Sequence, residues 1–560
     1  MLQERLDNNI WCKSTVQALF YENCEILGDK SALWFEEKIF TYRELRHRVN
    51  TCAQALLKLG VKKGDHVLMI PTNIPEFVTI YFATLQVGAL INPLNYLWGV
   101  IEYTGVIQRN DPVVLVTIDQ HANRDYIKIL KETIPDLKIN AKSSTVSSKK
   151  FPTLKHLISV SRQGKKHEGY IDFNDLMKTG EDYVEEEMAA LVAKGKNSDV
   201  QFICQSSGST GLSKGSLWTH NTPLAVAHCM VQSLCYRDNG KDSYILITPI
   251  CHASGLCSFN LALVLTGTCL YMLESFDPKK AIELIDRFKI TATFGFDAHF
   301  QGMKKVFDSG NYEFTLHKLA VAVTPNTYDM VQDEMCKTKD TNILSLFGQS
   351  ECGGLLCLTE PTCIDENIRR NANGRPFGGV QIVIKDIITG AKIPPDKLGE
   401  ICYKSPHLFR GYYRQEEETK KQFDDEGYFH SGDYGTFEGG YLYFHGRLGG
   451  VVKTGGENVS TAWVSKNLLD IFSDVFDDVQ TVGVPDPYWG TKLVSWVRLM
   501  PGKSMPSLDD VKKACKGKMA GYEIPKEILL WSTPWPVNPV GKVDVKILEV
   551  EANKALGIKS

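Results

Sequence analysis

Residues Gln205–Gly215 read Gln-Ser-Ser-Gly-Ser-Thr-Gly-Leu-Ser-Lys-Gly, and the apolar residues Val200, Phe202, Ile203 and Cys204 before them predict a strand. Glycines let the backbone turn tightly around an anion, while hydroxyl groups and Lys214 add hydrogen-bond donors and positive charge. The stretch is not a P-loop, because Ser213 and not glycine precedes the lysine. This composition suits a polyphosphate, but it is also typical of a flexible surface loop.

Further short motifs follow this loop along the chain. Most of them combine glycine, which lets the backbone turn, with an acid, an arginine or a lysine, and two of them end in a histidine. In order, they are Thr219-His220, Thr248–His252, Phe347–Glu351, Gly399–Cys402, Gly411–Tyr413, Gly427–Asp433, Gly440–Arg447, Gly455–Val459 and Asn538–Lys542.

In this order, the motifs resemble those of the adenylate-forming superfamily, which includes acyl-CoA synthetases, aryl-CoA ligases, luciferases and peptide-synthetase adenylation domains. Ser207–Gly215 matches the superfamily pattern except at Ser213, where proline is usual. The resemblance covers roughly residues 25–550. It implies an AMP-forming acyl-CoA synthetase, which activates a carboxylic acid with ATP and Mg²⁺ and passes the acyl group to coenzyme A.

The resemblance also implies a fold and a domain division. The expected class is α/β, with a large N-terminal domain, residues 1–446, of doubly wound subdomains and a β-barrel-like part. A small, mobile α+β domain, residues 447–560, would swivel about a hinge at 447–450. Local patterns agree, since Thr41-x-x-Glu44 is a capping box that opens a helix and His66–Ile70 reads as a buried strand.

Site residues are carried over from the matching motifs. Lys542, His252, Ser350 and Glu351 are the expected catalytic residues, and Glu351 and Ser209 are the expected Mg²⁺ ligands. The loop Ser206, Ser207, Gly208, Ser209, Thr210, Gly211 and Lys214 would hold the β- and γ-phosphates. The remaining nucleotide and coenzyme A contacts would come from Thr324, Phe347, Gly348, Gln349, Asp433, Phe444, Arg447, Lys453, Gly455, Gly456 and Glu457.

Charge and chemistry give these roles a physical reason. Lys542 would neutralise charge on the carboxylate and the α-phosphate, Asp433 would accept hydrogen bonds from the ribose hydroxyls, and Phe347 would stack on adenine. Taken singly, each residue also has a plain structural interpretation. His252 in particular can be a histidine that only packs in the core.

Several positions depart from the superfamily pattern. Gly450 stands at the hinge, Trp463 lies in the segment 461–465 that loses two carboxylates, and Thr491 replaces a usual glutamate. Ala322–Pro325 replaces the small residues beside adenine and the acyl pocket. These changes keep two alternatives open, an acyl-AMP-forming enzyme with an acceptor other than coenzyme A and an impaired nucleotide- or acyl-binding protein.

Bulk properties define the expected setting. The net charge of −3 comes from 63 basic and 66 acidic side chains, which gives no electrostatic reason to expect nucleic acid as a partner. The 15 cysteines include no Cys-x-x-Cys pair, so we expect reduced and mostly buried thiols rather than zinc ligands. The termini carry no secretory or peroxisomal signal, so the expected location is cytoplasmic, and a homodimer is a further expectation.

Two long stretches without charge, Phe77–Ile101 and Tyr244–Leu273, contain prolines and asparagines. We interpret both as a buried helix that leads into a buried strand, not as membrane spans. The Lys- and Ser-rich region Lys138–Lys166 predicts an exposed excursion. The segments expected around the acyl group are largely apolar and aromatic and include His299, which favours a medium-sized hydrophobic, alicyclic or aromatic acid.

Overall fold

The computed structural model describes residues 2–140, 144–206, 213–236, 242–323, 325–336, 341–387, 389–447, 450–454, 457–486, 489–516, 519, 521, 523–537 and 543–558. The chain forms two compact units. The first comprises Met1–Val380 and Ser405–Lys421, and the second comprises Gln381–Lys404 and Gln422–Ser560. The predicted division at residue 447 stays a prediction, and hinge residues 448 and 449 lie outside the described part of the chain.

One sheet of the first unit is a seven-stranded, mainly parallel sheet. Its central strand His66–Ile70 is buried along its whole length, as the apolar run that follows His66 predicts. Only the last pair is antiparallel. The strand order is Ile171–Asp172, His156–Val160, Val114–Ile118, His66–Ile70, Leu90–Pro93, Val200–Ser206 and Lys214–Thr219.

The other large sheet of this unit has nine strands. Its interior pairs are parallel and its edge pairs are antiparallel. The order is Lys38–Thr41, Ser31–Phe35, Cys269–Met272, Ser243–Leu246, Ala292–Phe296, Lys318–Ala322, Asn342–Phe347, Cys357–Leu358 and Arg375–Pro376. Two small hairpins pair Gln120–His121 with Arg124–Asp125, and Lys138–Asn140 with Thr145–Ser147.

Helices connect and cover these strands. The predicted capping box is present, because Thr41 accepts from the backbone N–H of Glu44 and the Glu44 carboxylate accepts from that of Thr41. The helices are Leu2–Asp7, Ile10–Cys12, Val16–Leu27, Tyr42–Lys58, Pro75–Val87, Val100–Asn110, Tyr126–Thr133, Phe173–Thr179, Glu185–Ala193, Asn221–Ser233, Ala253–Phe259, Asn260–Thr266, Pro278–Phe288, Asp297–Ser309, Pro325–Asp329, Met330–Met335, Ser350–Cys352, Glu366–Asn371 and Glu416–Lys420.

The described residues of the second unit form two smaller sheets and three helices. An antiparallel sheet of four strands runs in the order Gln381–Lys385, Gly399–Lys404, Phe429–Glu438 and Tyr441–Arg447. A five-stranded sheet contains Glu457–Ser460, Val451–Thr454, Gly490–Leu499, Phe476–Asp486 and Glu527–Leu530. The helices are Thr461–Ile471, Leu508–Cys515 and Val545–Ala555. The predicted α/β class is therefore confirmed, with a C-terminal α+β part.

The two uncharged stretches are buried secondary structure. Helix Pro75–Val87 leads into strand Leu90–Pro93, as predicted. The second stretch differs in order, because strand Ser243–Leu246 comes before the helical segments Ala253–Thr266 and strand Cys269–Met272 follows them. Among the described residues, no helix combines the length and the apolar character needed to cross a membrane. All the cysteines are free thiols and most are buried, as expected.

The exposed excursion predicted at Lys138–Lys166 is wrong in part. Its first half does form the exposed strand Lys138–Asn140, but His156–Val160 is a fully buried strand of the seven-stranded sheet. Val114–Ile118 and Ile171–Asp172 pair with it on either side. The strand is only five residues long and lysines flank it, so its apolar signal is lost in the surrounding composition.

Two buried histidines should make stability depend on pH. Burial lowers the pKa of His220 to about 3 and that of His407 to about 4, against 6.5 in an unfolded chain. Below pH 6.5 the unfolded chain therefore takes up protons that the folded chain does not, and the free energy of unfolding falls as the pH falls. Between pH 6.5 and pH 4 the two groups together should remove about 6 kcal/mol.

Urea unfolding over this pH range measures the effect. The test variant is His407→Gln. Its amide cannot take up a proton in this pH range, but it can still donate to the Leu355 carbonyl as His407 Nε2 does at 3.1 Å. This variant should show a smaller slope of unfolding free energy against pH. An unchanged slope would contradict the assignment.

Candidate active site

The predicted phosphate-binding loop connects two paired strands. Residues 207–212, and with them Ser207, Gly208, Ser209, Thr210 and Gly211, lie outside the described residues, as does the Ser206 side chain. The backbone of Ser206 is in register with that of Lys214 across the antiparallel pair. The loop therefore begins and ends at two residues that the sheet holds face to face.

Buried polar groups fasten the base of this loop. Ser213 Oγ donates to Gln205 Oε1 at 3.0 Å, and Gln205 Nε2 donates to Asn92 Oδ1 at 3.0 Å. The Arg109 guanidinium also donates to the Ser213 carbonyl. Ser213 is a departure from the superfamily pattern, and the structure gives its hydroxyl a partner that proline could not serve.

Lys214 is held between an acid and an aromatic ring. Its Nζ lies 2.7 Å from Glu418 Oε1 and 4.9 Å from the centre of the Tyr412 ring. The hydrogen bond from Lys214 lowers the pKa of the Glu418 carboxyl. Sequence reasoning missed Glu418, because 204 positions separate the partners and a run of three glutamates gives no indication of which one meets a lysine.

Glu351 lies on a tightly fixed turn after the strand Asn342–Phe347. The turn Ser350–Cys352 is anchored by Trp218, whose Nε1 donates to the Ser350 carbonyl at 2.8 Å. The Tyr412 hydroxyl donates to Glu351 Oε1 at 2.7 Å. The same tyrosine therefore contacts both Glu351 and Lys214, so the structure brings these two predicted residues together. Tyr412 lay in a quoted motif but was given no role there.

Gly348 is required where the turn begins. A Cβ added to Gly348 would lie 2.1 Å from the carbonyl oxygen of Gly354, a backbone atom that cannot move aside cheaply. Phe347 and Gln349 on either side are 6% and 8% exposed. Adenine stacking by Phe347 stays a prediction.

His252 lies next to the same turn. It precedes helix Ala253–Phe259, and its Nε2 is 3.5 Å from Asn95 Nδ2. The helix is attached to the turn, since Cys257 Sγ donates to the Gly353 carbonyl at 2.6 Å. This attachment places His252 and Glu351 on adjoining elements, and the role of His252 stays a prediction. Thr324 lies outside the described residues.

In the second unit, the predicted ribose contacts come together on neighbouring strands. Asp433 and Arg447 are direct partners across the pair Phe429–Glu438 and Tyr441–Arg447. Asp433 is 2% exposed. The side chain of Arg447 lies outside the described residues. Phe444, on the same strand, is 41% exposed.

A hydrogen-bonded cluster supports the turn before Asp433. Glu400 Oε1 accepts from the Gly432 backbone N–H at 3.0 Å, and Glu400 Oε2 lies 2.7 Å from His430 Nδ1. Cys402 Sγ is 3.5 Å from the same His430 nitrogen. Gly432 has a φ of 67°, a conformation that favours glycine. The turn therefore depends both on this glycine and on the Glu400 carboxylate that accepts from its N–H. Sequence reasoning had quoted this Gly-Glu motif without giving Glu400 a role.

The predicted coenzyme A and catalytic residues of the C-terminal part are only partly described. Strands Val451–Thr454 and Glu457–Ser460 pair, with Lys453 in register with Asn458. The Lys453 and Glu457 side chains, Gly455 and Gly456, and Lys542 lie outside the described residues. Two of the departures meet, because Thr461 Oγ1 donates to the Gly450 carbonyl at 2.7 Å.

Comparison with known proteins identifies the arrangement. The profile of a family described as AMP-binding enzyme matches residues 20–413. Among curated proteins, YngI of Bacillus subtilis, a candidate acyl-CoA synthetase, is 27% identical over 542 residues, which cover 95% of each chain.

Solved structures show the same fold. The anthranilate CoA ligase AuaEII, in complex with anthranoyl-AMP, has a TM-score of 0.80 at 20% identity, covering 98% of both chains. ATP-bound MatB from Rhodopseudomonas palustris has a TM-score of 0.79 at 23% identity, covering 97% of this chain and 100% of that one.

Proposed function

The chain belongs to the AMP-binding enzyme family, and we propose from that membership and the site how it acts. It is an AMP-forming acid–thiol ligase. A carboxylate oxygen of the acid attacks the α-phosphorus of ATP, the bond to pyrophosphate breaks, and an acyl-adenylate forms. The coenzyme A sulfur then attacks the acyl carbon, its thiol proton is released, and the carbon–oxygen bond to AMP breaks.

One observation supports the first step above the others. Lys214 and Glu351 lie far apart in the sequence, yet both contact Tyr412. Lys214 Nζ is 4.9 Å from the centre of the Tyr412 ring, and Glu351 Oε1 is 2.7 Å from its hydroxyl oxygen. A cation and a carboxylate held side by side on one ring suit a polyphosphate and its counter-ion. Lys214 can exchange its partner Glu418 for phosphate oxygens, since both are anionic acceptors.

The donor set fits Mg²⁺. Glu351 offers a hard carboxylate ligand, and a single protein carboxylate is typical of Mg²⁺ that is bound mainly through substrate phosphates. Mg²⁺ bound there would neutralise phosphate charge. Tyr412 would orient the Glu351 carboxylate, and Trp218 would hold the turn that carries it. Ser209 is proposed to contribute from the loop.

The second half-reaction is assigned by resemblance. Lys453, Gly455, Gly456 and Glu457 are proposed to line the path of the thiol, and Asp433 and Arg447 to hold the ribose. The molecule that accepts the acyl group has to be identified by experiment, so the first test has to separate adenylation from thioester formation.

That test is ATP–pyrophosphate exchange with a panel of carboxylic acids, together with AMP release in the presence and absence of coenzyme A. Acid-dependent exchange and coenzyme A-dependent AMP release are expected. Exchange without an effect of coenzyme A would assign another acceptor, and no exchange with any acid would contradict the ligase function.

Glu400 should position the ribose site through Gly432. Replacing Glu400 with glutamine keeps the shape but removes the anion that faces His430 and the Gly432 N–H. We expect the KM for ATP to rise by about 5- to 20-fold with kcat changed less, because one or two charge-assisted hydrogen bonds weaken. Steady-state exchange kinetics measure this.

The control for Glu400 is Glu438→Gln, an exposed acid at the end of the same strand as Asp433. It should leave the KM for ATP unchanged. If Glu400→Gln lowered kcat and left the KM for ATP unchanged, Glu400 would not act through the nucleotide site.

A further inference from the structure

A small cavity in the first unit adjoins the turn that holds His252. Its volume is about 130 Å³. At about 30 Å³ for a group of the size of water, it accepts about four such groups. Residues that line it include Tyr96, Pro249, Glu274, Phe276 and His299.

The cavity is connected to the proposed reaction site through its wall. Pro249 accepts a hydrogen bond from the His252 backbone at 3.1 Å. Tyr96 follows Asn95, whose amide is 3.5 Å from the His252 ring. Ala253 in turn contacts the segment after Glu351, because a Cβ on Gly354 would meet the Ala253 Cβ at 3.1 Å. The wall of this cavity and the elements that carry Glu351 and His252 are therefore in direct contact.

Glu274 brings a carboxylate to the cavity wall. Its Oε1 lies 3.0 Å from His121 Nδ1, and its Oε2 lies 4.0 Å from Arg162 Nε, beyond hydrogen-bond distance. Burial alone would raise its pKa, but the hydrogen bond and charge of His121, with Arg162, leave the pKa below the usual value. Glu274 is thus an anionic acceptor with His121, Arg162 and Thr72 as its neighbours.

His299 brings a donor to the same cavity. Its Nδ1 accepts from the Phe296 backbone N–H at 3.1 Å, so the ring proton lies on Nε2. Burial lowers the pKa of His299 to about 4, which keeps the ring neutral. The Phe276 ring packs edge-on against it at 4.6 Å and limits its rotation.

The other amide on the wall is already engaged. Asn73 Nδ2 donates to the Thr248 carbonyl at 3.2 Å, and its Oδ1 accepts from the Ile250 N–H at 2.9 Å. The wall therefore combines an anionic acceptor, Glu274, and a neutral donor, His299, with two residues that carry hydroxyl groups, Tyr96 and Ser275. A hydroxyl both donates and accepts, so it is chemically complementary to Glu274 and His299. A second carboxylate would face Glu274 and be repelled.

We propose that this cavity receives the far end of the acyl group, and that Glu274 and His299 select a monocarboxylic acid with a hydroxyl at that end. The inference rests on the proposed ligase function and narrows its substrate class. It refines the expectation of a medium-sized hydrophobic, alicyclic or aromatic acid, which was based on the apolar segments and did not include Glu274.

The test compares plain, ω-hydroxy and dicarboxylic acids from butanoate to octanoate by kcat/KM in ATP–pyrophosphate exchange. At the best chain length the ω-hydroxy acid should exceed its parent by about 10- to 100-fold, the range for a hydrogen bond to a charged group. The dicarboxylic acid should be the poorest. Glu274→Gln should reduce the hydroxy-to-parent ratio about tenfold, and His299→Phe should reduce it independently.

Controls separate folding and function from selectivity. Glu313→Gln removes an exposed carboxylate from the same unit and should leave the ratio unchanged. Thermal unfolding of each variant reports its folding, and His299→Phe provides a second test if Glu274→Gln is unstable. Plain acids that match or exceed the hydroxy acids in the wild type overturn this inference alone. No exchange with any acid overturns the ligase function and this inference with it.

Discussion

Replacement of Glu351 by glutamine should slow acid-dependent ATP–pyrophosphate exchange by about 10²–10³-fold, the cost of losing one electrostatic group that acts in the transition state. The turn Ser350–Cys352 is fixed by Trp218 and by the Tyr412 hydroxyl, so the variant side chain should stay in place. What changes is its charge. A neutral amide is a much poorer Mg²⁺ ligand than a carboxylate, so the Mg²⁺ concentration at half-maximal rate should also rise.

Two further variants sharpen this prediction. Glu360→Gln in the same unit removes a carboxylate that pairs with Arg375 at 2.9 Å, and it should leave exchange within about twofold of the wild type. Tyr412→Phe removes only the hydroxyl that contacts Glu351, so we expect an intermediate loss of about tenfold. Full activity of Glu351→Gln at low Mg²⁺ would exclude Glu351 as a metal ligand.

Local sequence patterns predicted helix starts and buried strands well, because these features depend on residues that are close together in the sequence. The capping box at Thr41 and Glu44 needs only two side chains three residues apart, and it forms as expected. The strand His66–Ile70 is buried along its whole length, as the apolar run that follows His66 predicts. The strand His156–Val160 was missed because five residues between lysines give too little periodic signal.

Motif resemblance predicted which residues form the candidate site, but not what holds them. Tyr412 contacts Lys214 and Glu351, and both contacts depend on the packing of segments that are distant in sequence. Glu418 and Glu274 have no local pattern that separates them from other acidic side chains. Their positions follow only from the tertiary fold, because an ion pair between remote residues leaves no periodicity in the sequence.

Replacement of Lys542 by alanine should slow adenylation by about 10²–10³-fold, measured as acid-dependent ATP–pyrophosphate exchange. The resemblance assigns this lysine to the charge that accumulates on the carboxylate and the α-phosphate, and no other group on the same motif carries a positive charge. Lys546→Ala is the matched control, since Lys546 is exposed on the helix that follows and its backbone N–H donates to Asp544 Oδ1. It should leave exchange unchanged.

The two half-reactions give the Lys542 prediction a second readout. With a chemically prepared acyl-adenylate, the variant starts after the step that Lys542 is proposed to assist. Coenzyme A-dependent AMP release should then fall far less than exchange, because the carboxylate charge is already lost in the anhydride bond and the substitution at the α-phosphorus is complete. Equal losses in both assays would mean that Lys542 supports the structure of the C-terminal part instead of the first chemical step. A loss confined to exchange would show that Lys542 acts in adenylation and not in thioester formation.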